Sequence, residues 1–239
     1  LHKNHHPVPG DLGFQLFTRS RRPFGTQVSV AAVLGGFSLL VGALRPHRRN
    51  AWSYRVLGIG LPLVFLLPML KHPSFLGTGD WDMNTTAHAA AERAINREHA
   101  FPGWNPYLCG GTPLAAFPES PVFSPFFSTV LLGGSVAGFK INILLHVIIG
   151  FLGMVVWLRR GWHVSRTAAL LGASAVMFSS FVALHLEAGH TRKIAIAWIP
   201  WVLAFFQRAA TESADGRHTP FRCTALAGTF LALMFLDGS

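Results

Sequence analysis

Long apolar segments constrain this fold more than any other feature of the sequence. A helix needs roughly 20 apolar residues to cross a bilayer. Six segments approach that length, at about 27–44, 54–70, 139–158, 166–185, 194–207 and 223–236. Only 13% of the 239 residues are charged, which is about half the share in soluble domains. The sequence therefore predicts an all-α, polytopic membrane protein, with residues 27–239 as the transmembrane domain and residues 1–26 as a poorly ordered tail.

Charge is distributed unevenly between the loops. Half of the twenty Lys and Arg residues lie in three short loops, 45–55, 159–166 and 208–222. Seven of the ten acids lie in the alternate loops, 71–125 and 185–193, and in the C-terminal tail. Because short Arg-rich loops stay cytoplasmic, loop 71–125 is predicted to be extracytoplasmic on a protein of the plasma membrane. The same pattern accounts for the net charge of +10 without a nucleic-acid partner.

The N-terminal tail does not follow this pattern. It is basic, yet the predicted topology would place it outside. Either segment 27–44 does not span the membrane, or residues 1–26 come from a poorly defined N-terminus. The sequence begins at a leucine and stops soon after an apolar run, so we expect it to be part of a longer membrane protein.

The long loop 71–125 carries two carboxylates, Asp80 and Asp82, ahead of a short amphipathic pattern. In an extended chain residues i and i+2 point the same way, so both could face one cavity. The pattern predicts an interfacial helix at about 83–99, with Asp82 as its N-cap. Asp80 has no such local role. We therefore expect a catalytic or ligand role for Asp80 ahead of a solvated one.

Two further parts of the loop are distinctive. Trp104 and Tyr107 lie among Pro and Gly residues and suit either a membrane interface or the face of a sugar ring. Segment 122–134 is apolar but too short to span, so it predicts a re-entrant or interfacial helix leading into span 139–158.

The second acid-bearing loop contains His190 beside the cations Arg192 and Lys193. These groups could hold a lipid-linked phosphate. The alternative is an ordinary charged loop with cations snorkelling at the membrane edge. The spacing H-x-E-x-x-H in this loop (His185, Glu187, His190) differs from that of zinc proteases, and it does not predict a metal site.

Several of these motifs together resemble class C membrane glycosyltransferases, particularly their YfhO-like branch. The matching stretches are GDWD at 79–82, FPGWNPYLCGGTPL at 101–114, PESPVFSP at 118–125, and the Gly-His loop followed by WIPW at 198–201. The similarity covers roughly residues 55–210. It is specific in the long loop and weak in the apolar spans. The chain also departs from the family, because segment 27–44 precedes what would be the first span.

The resemblance implies an enzyme that moves a hexosyl or pentosyl group, with inversion, from a polyprenyl-phosphate carrier to an acceptor outside the cell. Membrane lipid is the other implied partner. The family's acidic base, or the residue that helps place a divalent metal, corresponds to Asp80 and Asp82. The positions implied to bind substrate are Trp104, Asn105, Tyr107, Glu119, His190, Arg192 and Lys193.

Two other classes of function stay open. A transporter or flippase of lipid-linked intermediates requires charges inside the spans, where Lys140 and His146 lie. A non-catalytic membrane assembly protein would tolerate loss of Asp80.

Overall fold

The structure is a computed structural model that describes residues 51–72, 76–77, 79–117, 119–214 and 220–238, with backbone alone for 51–55 and 220. The predicted tail 1–26 and the predicted span 27–44 lie outside the described residues.

The described part of the chain is mostly helical, which confirms the prediction of an all-α fold. The α-helices are α1 (Ala51–Leu70), α2 (Trp81–Asn96), α3 (Ser128–Gly133), α4 (Phe139–Gly161), α5 (Arg166–Met177), α6 (Ser180–Ala188), α7 (Ile199–Ala214) and α8 (Pro220–Leu236). Short 3-10 helices lie at Pro121–Phe123, Pro125–Phe127 and Thr191–Trp198, and a π-helix lies at Gly134–Gly138. The strands β1 (Trp104–Asn105) and β2 (Thr112–Pro113) form one antiparallel pair.

Three helical stretches are long and apolar enough to cross a membrane: Pro125–Gly161, Arg166–Ala188 and Thr191–Ala214. They contain the predicted spans 139–158, 166–185 and 194–207. Shorter apolar helices cover Val56–Leu70 and Phe221–Leu236, where spans 54–70 and 223–236 were predicted.

Helix α7 extends beyond its predicted end because a polar side chain finds partners there. The Gln207 amide donates to the carbonyl of Gly161 at 2.9 Å. Its oxygen accepts from the Trp157 indole at 3.0 Å. A satisfied polar group is compatible with a helix packed inside a bundle, so the helix continues to Ala214.

Segment 122–134 runs into α4 through helical turns. The 3-10 turns and α3 lead into the π-helix Gly134–Gly138, which continues directly as α4. At Gly138 a Cβ would collide with the backbone of Thr129 and Val130. Glycine therefore lets α3 pack against the start of the long helix.

Helix α4 is the centre of the bundle and packs against α1, α5, α7 and the 3-10 helix Thr191–Trp198. One stripe of its side chains, spaced four residues apart, is almost fully buried: Phe139, Ile143, Val147 and Phe151. A Cβ at Gly150 would lie 3.0 Å from Cα of Ala197. Small residues thus allow the close backbone approach on which packing between membrane helices depends.

Lys140, one of the two residues on which the transporter alternative rests, has a structural partner. It is 4% exposed, and its ammonium donates to the carbonyl of Met69 at 2.9 Å and to that of His72. These carbonyls lie at and just beyond the C-terminal end of α1, where a cation complements the helix dipole. Lys140 therefore joins α1 to α4.

Candidate functional site

The helix that carries the candidate acids begins two residues earlier than predicted. Helix α2 starts at Trp81, so Asp80 takes the N-cap position and Asp82 lies in the first turn. The prediction that Asp82 caps this helix is wrong. The reason is tertiary, because the Trp81 ring is 2% exposed and its indole N–H lies 2.9 Å from the carbonyl oxygen of Leu186 and 3.1 Å from that of Glu187.

The new helix start separates the two carboxylates. Asp80 precedes the helix and Asp82 lies within it, and positions i and i+2 do not face each other at a helix. The extended geometry from which a shared cavity was predicted is therefore absent, and a cavity shared by both acids stays a prediction. The side chain of Asp80 makes no capping hydrogen bond. Partial burial raises the pKa of the Asp82 carboxyl above its ordinary value.

The two predicted extracytoplasmic loops are joined by one backbone hydrogen bond and by several side-chain hydrogen bonds. The amide of Asp80 donates to the carbonyl of Ala188 at 3.0 Å. The Asn84 side chain bridges the loops, donating to the carbonyl of Asp80 at 2.9 Å and to that of Gly189 at 2.8 Å. Thr191 donates to the Asn84 oxygen at 3.3 Å. Sequence reasoning missed Asn84, although its position four residues after Asp80 was a usable signal.

Two glycines allow this close approach. Gly79 and Gly189 both have a φ near +80°, a conformation that L side chains rarely adopt. A Cβ at Gly79 would lie 2.7 Å from the oxygen of Ala188, and a Cβ at Gly189 would lie 2.6 Å from the amide nitrogen of Trp81. The glycine next to His190 in the sequence is therefore required by the contact between the loops.

This contact brings Asp80 close to His190. The Asp80 Oδ2 atom lies 3.7 Å from His190 Nε2, and the two side chains are 56% and 47% exposed. The other ring nitrogen of His190, Nδ1, lies 2.8 Å from Nδ1 of His185. A carboxylate and two imidazoles thus form a continuous chain of titratable groups. His185 was not among the predicted site residues.

Two predicted substrate-binding residues pair with each other. Arg192 Nε lies 2.8 Å from a carboxylate oxygen of Glu119, and these side chains are 53% and 24% exposed. The backbone of Gly238, after α8, packs against Glu119, where a Cβ would lie 2.8 Å from the Glu119 oxygen. The end of α8 therefore reaches the same region as the two loops.

A cavity opens below these groups. It is small, with a volume of about 20 Å³, and His185, His190 and Lys193 contribute polar groups on the loop side. Most of the wall is apolar and comes from α4, α5, α6 and the 3-10 helix, including Met177, Phe181, Val182, Ile194 and Ala197. The lining thus combines an apolar wall with basic side chains at one side.

The aromatic part of the long loop lies elsewhere. Trp104 and Tyr107 are both 56% exposed, and the Arg93 guanidinium lies 6.0 Å from the centre of the Tyr107 ring. Arg93 is thirteen residues along the chain from Asp80, roughly 20 Å at the rise of an α-helix. Tyr107 is therefore at the far end of α2 from the acid. The residues predicted to bind substrate therefore form two groups. One contains His190, Arg192, Lys193 and Glu119, and the other contains Trp104, Asn105 and Tyr107.

Asn105 is placed as a structural residue of the hairpin. It is 1% exposed, and its oxygen accepts from the amide of Tyr107 at 3.0 Å, which fixes a local turn. Its side-chain nitrogen is buried without a hydrogen-bond partner.

A metal does not fit the described residues well. They contain no group of three or more His, Cys, Asp or Glu side chains placed to hold an ion. The candidate donors, Asp80 and Asp82, lie on either side of the start of α2.

Comparisons of the chain with protein-family models, with curated proteins and with solved structures gave no match. The fold and site define a helical bundle with membrane-length helices and a polar site built from two loops.

Proposed function

We propose that this chain belongs to a membrane glycosyltransferase that moves a sugar from a polyprenyl-phosphate carrier to an acceptor outside the cell. One observation carries the proposal. The Asp80 carboxylate, free of any capping bond, lies beside His190 at the polar side of an apolar cavity. An acid, neighbouring cations and an apolar slot are the three features that a lipid-phosphate sugar donor requires.

The charge at the two ends of the bundle supports an outward-facing site. Arg159 and Arg160 occupy the last turn of α4, whereas Asp80 and the end of α6 lie near its beginning. If α4 crosses the membrane, the arginine end faces the cytoplasm by the positive-inside rule. The site then faces the side on which polyprenyl-linked sugars are used.

The proposed chemistry is an inverting displacement. The Asp80 carboxylate accepts the proton of the acceptor hydroxyl while that oxygen bonds to the anomeric carbon. The bond between the anomeric carbon and the phosphate oxygen breaks, and its electron pair leaves with the phosphate. Lys193 and His190, at the polar side of the cavity, offset the charge on the departing phosphate.

The cavity also suggests how the carrier is held. The side chains of Phe181, Val182 and Ile194 provide an apolar wall near Lys193, against which we place the first part of a prenyl chain, with the rest of the chain outside this small cavity. The phosphate would then lie at the boundary between apolar wall and polar loop. This placement keeps the charged head hydrated and the hydrocarbon buried.

The alternatives receive no specific support from the described residues. A transporter calls for charges inside the spans, and the two candidates have structural contacts: Lys140 joins α1 to α4 and His146 has partners at both ring nitrogens. A non-catalytic assembly protein gives no reason for an uncapped carboxylate beside two histidines.

The test compares Asp80→Asn with Asp82→Asn in the full-length protein, measuring sugar transfer from a polyprenyl-phosphate donor at matched membrane levels. Asn keeps the size of the side chain but cannot accept the proton. We expect Asp80→Asn to lower transfer by about 10²–10⁴-fold, the usual contribution of a general base. Asp82→Asn, in the first turn of α2, is the matched control and should be mild. Wild-type turnover in Asp80→Asn would remove Asp80 from the mechanism.

A further inference from the structure

A second acid approaches the site from the end of α8. Asp237 follows that helix and inserts between α4 and the 3-10 helix Thr191–Trp198. Its Oδ2 atom lies 2.8 Å from Nε2 of His146 and accepts the Trp198 indole N–H at 2.5 Å. The His146 and Asp237 side chains are 2% and 7% exposed. This is a buried cluster of polar side chains inside the helical bundle.

The hydrogen-bond pattern determines how many protons the cluster holds. His146 Nδ1 lies 2.9 Å from the carbonyl oxygen of Asn142, and a carbonyl only accepts, so Nδ1 carries a hydrogen. A neutral imidazole then has an acceptor at Nε2, which would face the acceptor oxygen of Asp237. A proton between Nε2 and Oδ2 removes this conflict. The pair therefore contains one proton more than a neutral imidazole and a carboxylate together.

The neighbours of Asp237 favour the charged form of its carboxyl. Burial raises its pKa, but hydrogen bonds from His146, Ser124 and Trp198 outweigh burial and leave the pKa below its ordinary value. Oδ2 accepts the Trp198 N–H as well as facing Nε2 of His146, and an oxygen that accepts two N–H groups is best satisfied as a carboxylate. This geometry assigns the extra proton to the imidazole, so that the pair has no net charge.

The pair is connected to the candidate site on two sides. Trp198 is the last residue of the 3-10 helix that carries Arg192 and Lys193, and His146 itself lines the cavity. Gly238, next to Asp237, packs against Glu119. The His146–Asp237 pair thus contacts the Thr191–Trp198 helix, lines the cavity through His146, and lies next to the end of α8.

We propose that His146 and Asp237 form a buried imidazolium–carboxylate pair that positions the Thr191–Trp198 helix, and with it Lys193, at the cavity. These are positioning residues, since they act through Trp198 and do not contact the reacting atoms. Their importance for sugar transfer rests on the function proposed above, whereas the pair and its hold on the helix do not.

The protonation state can be tested directly. In ¹⁵N-histidine-labelled protein in detergent at neutral pH, with His146→Gln used to assign the signal, both ring nitrogens of His146 should be protonated. A spectrum with hydrogen on only one ring nitrogen would overturn the ion pair.

Hydrogen exchange of the Thr191–Trp198 amides then tests positioning without any activity measurement. His146→Gln leaves a buried carboxylate without its counter-charge, and Asp237→Asn leaves a protonated ring without its anion. Losing one member of a buried pair is strongly destabilising, so each should speed exchange at least about tenfold. The double variant restores a neutral amide pair, and its exchange should be slower than that of either single variant.

Glu92→Gln, which removes a carboxylate from α2 outside this cluster, is the matched control and should leave exchange of this segment unchanged. Additive effects in the double variant would refute the pairing, and wild-type exchange in both single variants would refute the positioning role. Sugar transfer by the same variants separates the two proposals. Wild-type sugar transfer in Asp80→Asn would refute the proposed function and would not affect the exchange result. Wild-type amide exchange in the His146 and Asp237 variants would refute the positioning role and would not affect the Asp80 result.

Discussion

Replacing Gly189 by alanine tests the joining of the two loops on which the site depends. Gly189 has a φ of +80°, and an added Cβ would lie 2.6 Å from the amide nitrogen of Trp81 and 2.9 Å from the carbonyl carbon of Asp80. Neither atom belongs to a flexible side chain. The substitution must therefore push the second loop away from the start of α2.

The size of the effect follows from the contacts that would be lost. A left-handed backbone costs alanine about 1–2 kcal/mol more than glycine. Separation of the loops would also break the bond from Asn84 to the Gly189 carbonyl and the bond from the Asp80 amide to Ala188, each worth about 1 kcal/mol. The sum is about 3–4 kcal/mol, or a fall in Tm of about 10 °C for a chain of this size.

The assay is thermal unfolding of the full-length protein in detergent, with sugar transfer measured below the transition. Gly228→Ala is the matched control, because a Cβ there has no atom within 4 Å and alanine is favoured inside a helix. That variant should be as stable as the wild type or slightly more stable. If Gly189→Ala were equally harmless, the contact between the loops would not exist as described.

Three further predictions address the loop and its orientation. Burial lowers the pKa of His88 from 6.5 to about 4. The folded protein therefore keeps its full stability above pH 6.5 and loses stability as the pH falls from 6.5 towards 4, because the imidazole takes up a proton more readily in the unfolded chain. Unfolding should cost about 2 kcal/mol less at pH 5 than at pH 7, and His88→Leu should flatten that difference. Trp104→Ala and Trp162→Ala, which both remove an exposed tryptophan, should lower sugar transfer to a similar small extent, because Trp104 lies on another surface than Asp80; a much larger loss in Trp104→Ala would bring Trp104 into the substrate site. In a cysteine-free background, a cysteine at Thr86 should react with a membrane-impermeant thiol reagent from outside and one at Ser165 should not, and the reverse pattern would overturn the proposed orientation.

Much of the fold was predictable because its signals are local. The apolar runs predicted where the long apolar helices lie, since hydropathy and helix period are properties of neighbouring positions, although the predicted span 166–185 is divided into Arg166–Met177 and Ser180–Ala188. The end of α7 was missed because Gln207 obtains its partners from α4, which no local pattern records. The start of α2 was missed for the same kind of reason, since Trp81 is bonded to carbonyls 105 and 106 positions along the chain.

The sequence by itself determined the helical class, the long polar loop, and the choice of Asp80 and His190 as candidate site residues. It did so because unusual residue types in apolar surroundings are visible without a structure. Only the tertiary structure decided that these two residues are neighbours, that α2 begins between Asp80 and Asp82, and that Trp104 and Tyr107 belong to another surface. It also revealed the pairing of His146 with Asp237, which are 91 positions apart. The physical reason is that hydrogen bonds and close glycine contacts between distant segments depend on how the helices pack, and packing is decided by the whole chain at once.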